Sequence, residues 1–107
     1  VVGAEDARRI ALSLPGTVER EQWKIPTFHT GGKMYVTIPD DQTSCAVRCP
    51  KHERDELIAA EPHKFWVPQH EAYSHWVRVR FEALDDLDEL RDIITDSYRQ
   101  ATGEIEQ

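Results

Sequence analysis

Near residue 80 the chain reads Trp76-Val77-Arg78-Val79-Arg80-Phe81. In a strand, successive side chains point to opposite faces. Val77, Val79 and Phe81 therefore share one face, and Trp76, Arg78 and Arg80 share the other. Guanidinium groups neutralise phosphates and release their counterions, while an indole stacks on a base or on another flat ligand. The same alternation in neighbouring segments adds His29, Tyr35, Thr37 and Arg48 to this face, with Lys33 at a hairpin edge. Lys64 and Trp66 join them if their short strand is in register. The candidate binding face, for nucleic acid or for a ligand, is thus His29, Lys33, Tyr35, Arg48, Trp66, Trp76, Arg78 and Arg80. A competing reading has the arginine stems lying over the rings on a solvated face, or the same face closing a homodimer, because Trp and Arg are also what protein interfaces favour.

Other chemistry-bearing residues form no such group. Nucleophilic catalysis needs a nucleophile beside a base. Cys49 with His52, or Ser44 with some histidine, could be drawn together, but nothing in the sequence orients either pair. No GxSxG, glycine-rich phosphate loop or HExxH is present. The expectation is a protein that is not an enzyme, with no catalytic residues and no cofactor. The five histidines include no i, i+4 helical pair of the kind a zinc site uses, so no metal is expected. Cys45 and Cys49, if on one strand, lie roughly 13 Å apart. That is too far for a disulfide, which needs Cα atoms within about 7 Å. They read as reduced core thiols, which suits a cytoplasmic protein.

Composition sets outer bounds. The 107 residues, 39% hydrophobic and 31% charged, suit a single domain spanning 1–107 with one core. Apolar runs of three or four residues are far short of a membrane span, and Glu5 and Asp6 follow the first residues too closely for a secretory signal. The net charge of −7 is not spread evenly. Residues 1–81 balance, and the whole excess falls in residues 82–107. A local basic patch is therefore compatible with an acidic chain.

The elements that must position these residues follow from periodicity. Ala7, Ile10, Ala11 and Leu14 form a helical stripe that Pro15-Gly16 ends. The segment from Val18 to Trp23 is ambiguous between strand and loop. Thr27–Thr30, Gly31-Gly32 and Lys33–Ile38 read as a hairpin with a primed turn, with Met34, Val36 and Ile38 inward and Tyr35 and Thr37 outward. Ser44–Cys49 is a strand with Cys45, Val47 and Cys49 inward. A helix follows Pro50 to about Ala60, with Arg54, Leu57, Ile58 and Glu61 near its inner face. His63–Val67 is a short strand, Pro68–Tyr73 a loop, and Trp76–Phe81 the last strand. A final helix is capped by Asp85 or Asp86, with Leu87, Leu90, Ile94, Tyr98 and Ala101 inward and Asp85, Asp88, Glu89, Asp92 and Asp96 opposite. The order favours an α+β fold in two layers, an antiparallel five-stranded sheet with helices on one face.

Four short segments carry a family resemblance: Ala11-Leu12-Ser13-Leu14-Pro15-Gly16, Phe28-His29-Thr30-Gly31-Gly32-Lys33-Met34-Tyr35, His75-Trp76-Val77 and Ser97-Tyr98. In this order and spacing the chain resembles the MmcQ/YjbR family over about residues 4 to 102. The resemblance implies a two-layer fold of order α-β(3)-α-β(2)-α, related to a secretion-chaperone-like class. It also implies DNA as a partner, since members are commonly labelled DNA-binding, a warrant that rests on the fold. It supplies no catalytic residues. The alternative is a module for a small molecule or a protein, a homodimer included, on the same face, with no membrane partner.

Overall fold

The computed structural model describes residues 2–103. Helix α1 (Ala4–Ser13) buries Ala7, Ile10 and Ala11, and the Asp6 carboxylate accepts a hydrogen bond from the Gly3 N–H at its start (3.0 Å). Four strands follow: β1 (Thr17–Gln22), β2 (Ile25–Thr30), β3 (Lys33–Thr37) and β4 (Ser44–Arg48). Helix α2 (Lys51–Ala60), β5 (Phe65–Trp66), β6 (Trp76–Arg80) and helix α3 (Leu87–Thr102) complete the chain. The Asp86 carboxylate caps α3 by accepting from the Glu89 N–H (2.9 Å). No helix of the described residues is long and apolar enough to cross a membrane.

All strand pairs are antiparallel, in the order β1-β2-β3-β4-β6-β5. The sheet therefore has six strands where five were expected, and the chain order is α-β(4)-α-β(2)-α. The extra strand is β1, in the segment that periodicity left open. It is an edge strand whose residues Val18 to Glu21 are all exposed, so it carries no apolar alternation to read. The turn that joins it to β2 was hidden for a second reason. Its two residues, Trp23 and Lys24, have φ of 53° and 65°. A primed turn needs such a left-handed pair, but Asn and Gly usually supply it. The β2–β3 turn uses Gly31 and Gly32, at φ of 57° and 79°, as expected.

The helices lie on one face. Phe28, Val36, Val47, Val77, Val79 and Phe65 are buried beneath them and are register partners or neighbours across the strands. On α3, Leu90, Ile94 and Ala101 are buried as expected, whereas Leu87 is exposed.

Tyr35 departs from the expected alternation. Phe28 pairs with Val36, but His29 pairs with Met34, so Tyr35 is an extra residue in β3, a bulge. Its side chain turns inward beside Val36 and is 0% exposed. Its hydroxyl donates to the Ala11 carbonyl (3.1 Å) and meets Thr17 Oγ1 (2.7 Å). Met34, expected in the core, moves to the other face. The bulge also opens the β3–β4 ladder, and a buried serine fills the gap. The Arg48 N–H donates to Ser97 Oγ (2.9 Å), which donates to the Tyr35 carbonyl (2.6 Å). Tyr98 packs edge-on against the Tyr35 ring, 5.4 Å between centroids, and its hydroxyl donates to the Pro15 carbonyl (2.6 Å). Three of the segments that carry the family resemblance thus meet in one buried node.

Candidate binding face and cleft

The face of the sheet away from the helices presents Arg20, Thr37, Ala46, Arg48, Trp66, Trp76, Arg78 and Arg80. This follows from the alternation of β1, β4, β5 and β6 and from the register Ala46↔Arg78, Trp66↔Arg78 and Arg48↔Trp76. The parity expected for the last strand holds: Val77 and Val79 are buried, while Trp76, Arg78 and Arg80 are partly exposed on the other side. Of the eight candidate residues, Arg48, Trp66, Trp76, Arg78 and Arg80 share this outer face, and Lys33 is exposed at the β2–β3 turn.

Three of the expected positions are corrected. Tyr35 is inside, because of the bulge. His29 belongs to the outer side by register with Met34, yet it is only 9% exposed and its Nε2 lies 2.9 Å from Thr27 Oγ1. Burial, with help from the Arg20 charge, lowers its pKa, so it presents a neutral ring and no phosphate-binding charge near neutral pH. Lys64 does not join the face. It is 5% exposed, and its Nζ donates to Glu61 (2.9 Å) and Glu89 (2.5 Å). Glu89 therefore turns toward the domain and leaves the acidic stripe of α3.

The arginines are not bare. Arg80 lies 4.0 Å from the centre of the Trp66 ring and donates to the His63 carbonyl (3.2 Å). Arg48 lies 5.6 Å from the Trp76 ring centre and donates through Nε to the Met34 carbonyl (2.7 Å). Arg78 forms a two-point pair with Glu71, at 3.3 Å and 2.6 Å. Such stacked and forked contacts are what a planar guanidinium favours. Trp66 and Trp76 both stay half-buried under them, and Trp76 keeps an open part.

That open part lines a cleft of about 360 Å³, whose walls include Trp23, Met34, Ala46, Glu71, Trp76 and Arg78. One side is the β1–β2 turn, which holds the Trp23 indole 74% exposed. The other is the segment around the 3-10 turn Gln69–Glu71. Buried Arg54 of α2 braces that segment by donating to the carbonyls of Ala72 (2.7 Å), Ser74 (2.8 Å) and Trp76 (3.1 Å). Sequence reasoning found Trp76 and Arg78 but missed Trp23, Met34 and Glu71. The signal for Trp23 was its place as one of two residues between two six-residue segments that can pair.

Elsewhere the chemistry is muted. Cys45 and Cys49 are free and buried, and burial pushes their thiols up to about 12 and about 11, so neither is a ready nucleophile. A second cavity of about 330 Å³ on the helix side is lined by Cys49, Leu57, Phe65 and Ile93, with Asp92 and Asp96 at hand. Its carboxylates oppose phosphate. Among the described residues no three His, Cys, Asp or Glu side chains are grouped to hold a metal ion.

Fold and site define a two-layer α+β domain with one sheet face left uncovered by helices. A family model described as YjbR matches residues 12–100, and the chain belongs to that family. Among solved structures, the crystal structure of Deinococcus radiodurans protein DR2400, described as a DUF419 domain, superposes with a TM-score of 0.78 at 21% identity. The match covers 95% of this chain and 81% of that one. At that identity the likeness carries the fold alone. No curated protein matches the sequence.

Proposed function

We propose that this domain is a non-enzymatic binding module that engages nucleic acid through the outer face of its sheet. The observation that carries the reading is a partial segregation of charge, in which Asp40 and Glu71 are the carboxylates that line the cleft itself. Arg20 is exposed on the outer face, Lys24 is exposed beside Trp23 in the β1–β2 turn, and Lys33 is exposed at the other end of β2, beside the β2–β3 turn. Asp88, Asp92 and Asp96 are exposed on α3, in the helix layer. An acidic chain can bind a polyanion when its carboxylates lie away from the contact. Arg48, Arg78 and Arg80 already hold internal partners, so phosphate contact falls mainly to the three exposed cations. That predicts a modest salt dependence. With about three phosphates neutralised on a single strand, log K falls with log salt with a slope of about −2. Fluorescence anisotropy of labelled duplex and single-stranded DNA, read at low salt and then across a salt series, tests this. No anisotropy change at low salt with either would end the reading.

A second reading, a module for a small flat ligand, is favoured by the cleft itself. Small-molecule sites start at about 300 Å³, and a largely apolar floor with an Arg–Glu pair at its rim suits a planar heterocycle. It predicts binding that hardly responds to salt and is lost in Trp76→Ala more than in Lys33→Ala.

A further inference from the structure

We infer that the cleft between Trp23 and Trp76 takes one unstacked base of a single strand, so that the domain prefers single-stranded nucleic acid to duplex. The inference rests on the nucleic-acid reading and names the form of its ligand.

Four observations converge on it. First, the two indoles stand on different elements, Trp23 on the β1–β2 turn and Trp76 on β6, and both line the same space. Rings placed so can stack on a base, which stacks on aromatic surfaces whatever its identity. Second, the floor between them carries Ala46, whose small side chain leaves depth, with Met34 and Thr37 beside it. At about 360 Å³ the space is near the lower limit of ligand sites, the scale of a single base with its sugar. Third, the Arg78–Glu71 pair sits at the wall with both donors and acceptors. The two satisfy each other at two points, and the N–H groups and lone pairs they have left can meet the mixed donors and acceptors of a base edge. Fourth, Lys24 follows Trp23 directly in the turn and is exposed, so a cation is free to meet a phosphate that flanks an inserted base.

A base in a duplex is stacked on both sides and cannot enter a cleft. Extruding it costs several-fold to many-fold in affinity, and a single strand escapes that cost. Glu71 and Asp40 in the lining also disfavour a backbone phosphate inside the cleft, so the base goes in and the phosphates stay out.

The test uses the whole chain with a labelled oligothymidylate of about 12 nucleotides, within the usual range for one single-strand site. The same strand annealed to its complement, and the same strand with abasic sites, serve as comparisons. The expected result is at least about tenfold tighter binding of the single strand than of the duplex, with the abasic strand falling to the duplex level. Trp23→Ala should cost about 5- to 150-fold, the range for one stacked base, and Trp23→Phe should restore most of it. Trp23 is exposed, so its loss leaves the core intact. Equal binding of the normal and abasic strands, or an unchanged affinity in Trp23→Ala, would overturn the cleft inference while leaving the charge-based reading of the face standing. Failure of every strand and duplex to bind would overturn both. Binding of free thymidine without any binding of the oligonucleotide would overturn the single-strand occupant and give the cleft to a small molecule.

Discussion

The bulge node at Tyr35 and Ser97 and the cleft between Trp23 and Trp76 lie on opposite faces of one sheet, and they are built in opposite ways. At the node, the extra residue of β3 breaks the ladder, and the breach is repaired: the Tyr35 carbonyl, the Arg48 N–H and the Tyr35 hydroxyl all have partners. At the cleft, two bulky residues are held in left-handed backbone that neither favours, and a large indole is left exposed. The first arrangement is what stability requires. The second is unfavourable by itself and points to a surface kept for contact.

The largest effect should come from breaking the repair. Ser97→Ala strands a part-buried N–H and a buried carbonyl, a buried group costing about 1–3 kcal/mol when unpaired. We expect a loss of about 2–4 kcal/mol in urea denaturation. A loss under about 0.5 kcal/mol would mean that the strands close over the gap without the hydroxyl. Tyr35→Phe keeps the ring and its contact with Tyr98 but removes the hydroxyl. The Ala11 carbonyl keeps the Leu14 N–H (3.1 Å) but loses its second donor, and Thr17 Oγ1 loses its partner, so a cost of about 0.5–1.5 kcal/mol follows. If the node and the cleft are separate, neither change should alter the affinity for a bound oligonucleotide in conditions where the variant is folded.

pH offers a way to sharpen the contrast from the outer side. Burial lowers the pKa of His29 below its ordinary value of 6.5. Above that value the ring is neutral in both the folded and unfolded states, and its contribution is complete. As pH falls from 6.5 through the folded value, the unfolded chain takes up the proton first, so stability declines. His29→Asn should flatten this part of the stability profile between about pH 7 and 5, measured as the urea midpoint against pH. An unchanged slope would show that His29 is solvated in solution and belongs to the exposed face after all.

The same contrast explains what could be read from the sequence. Strand parity at Val77 and Val79, the glycine turn at Gly31-Gly32, the cap at Asp86 and the apolar stripe of α3 are local rules, and local rules leave periodic traces. The family resemblance also lies in local segments, but three of them, around Pro15, Tyr35 and Ser97-Tyr98, converge on the node. They therefore report the fold and say little about the cleft. The bulge was illegible because an inserted residue looks like any other until a partner strand fixes the register. That single residue sent Tyr35 inward and Met34 outward. Strand β1 was illegible because an edge strand with charged side chains has no buried face to mark it. Lys64 looked like a surface cation, and only the fold brings Glu61 and Glu89 to it.

The smallest expected effect bears most directly on why the β1–β2 turn has its residues. Trp23 and Lys24 occupy backbone that costs a residue with a side chain of the order of 1 kcal/mol, and Asn and Gly far less. Replacing the pair by Asn-Gly should stabilise the domain by about 1 kcal/mol, read as a higher urea midpoint with an unchanged slope. If the turn were selected for folding alone, this gain would come free. On the present reading it comes with loss of the indole wall and its adjacent cation, so the stabilised variant should bind a single strand less well than the parent. A destabilised variant would mean that Trp23 packs on its neighbours strongly enough to offset the strain. A stabilised variant that binds as well as the parent would leave the exposed indole without a role and return the outer face to the arginines that cover it.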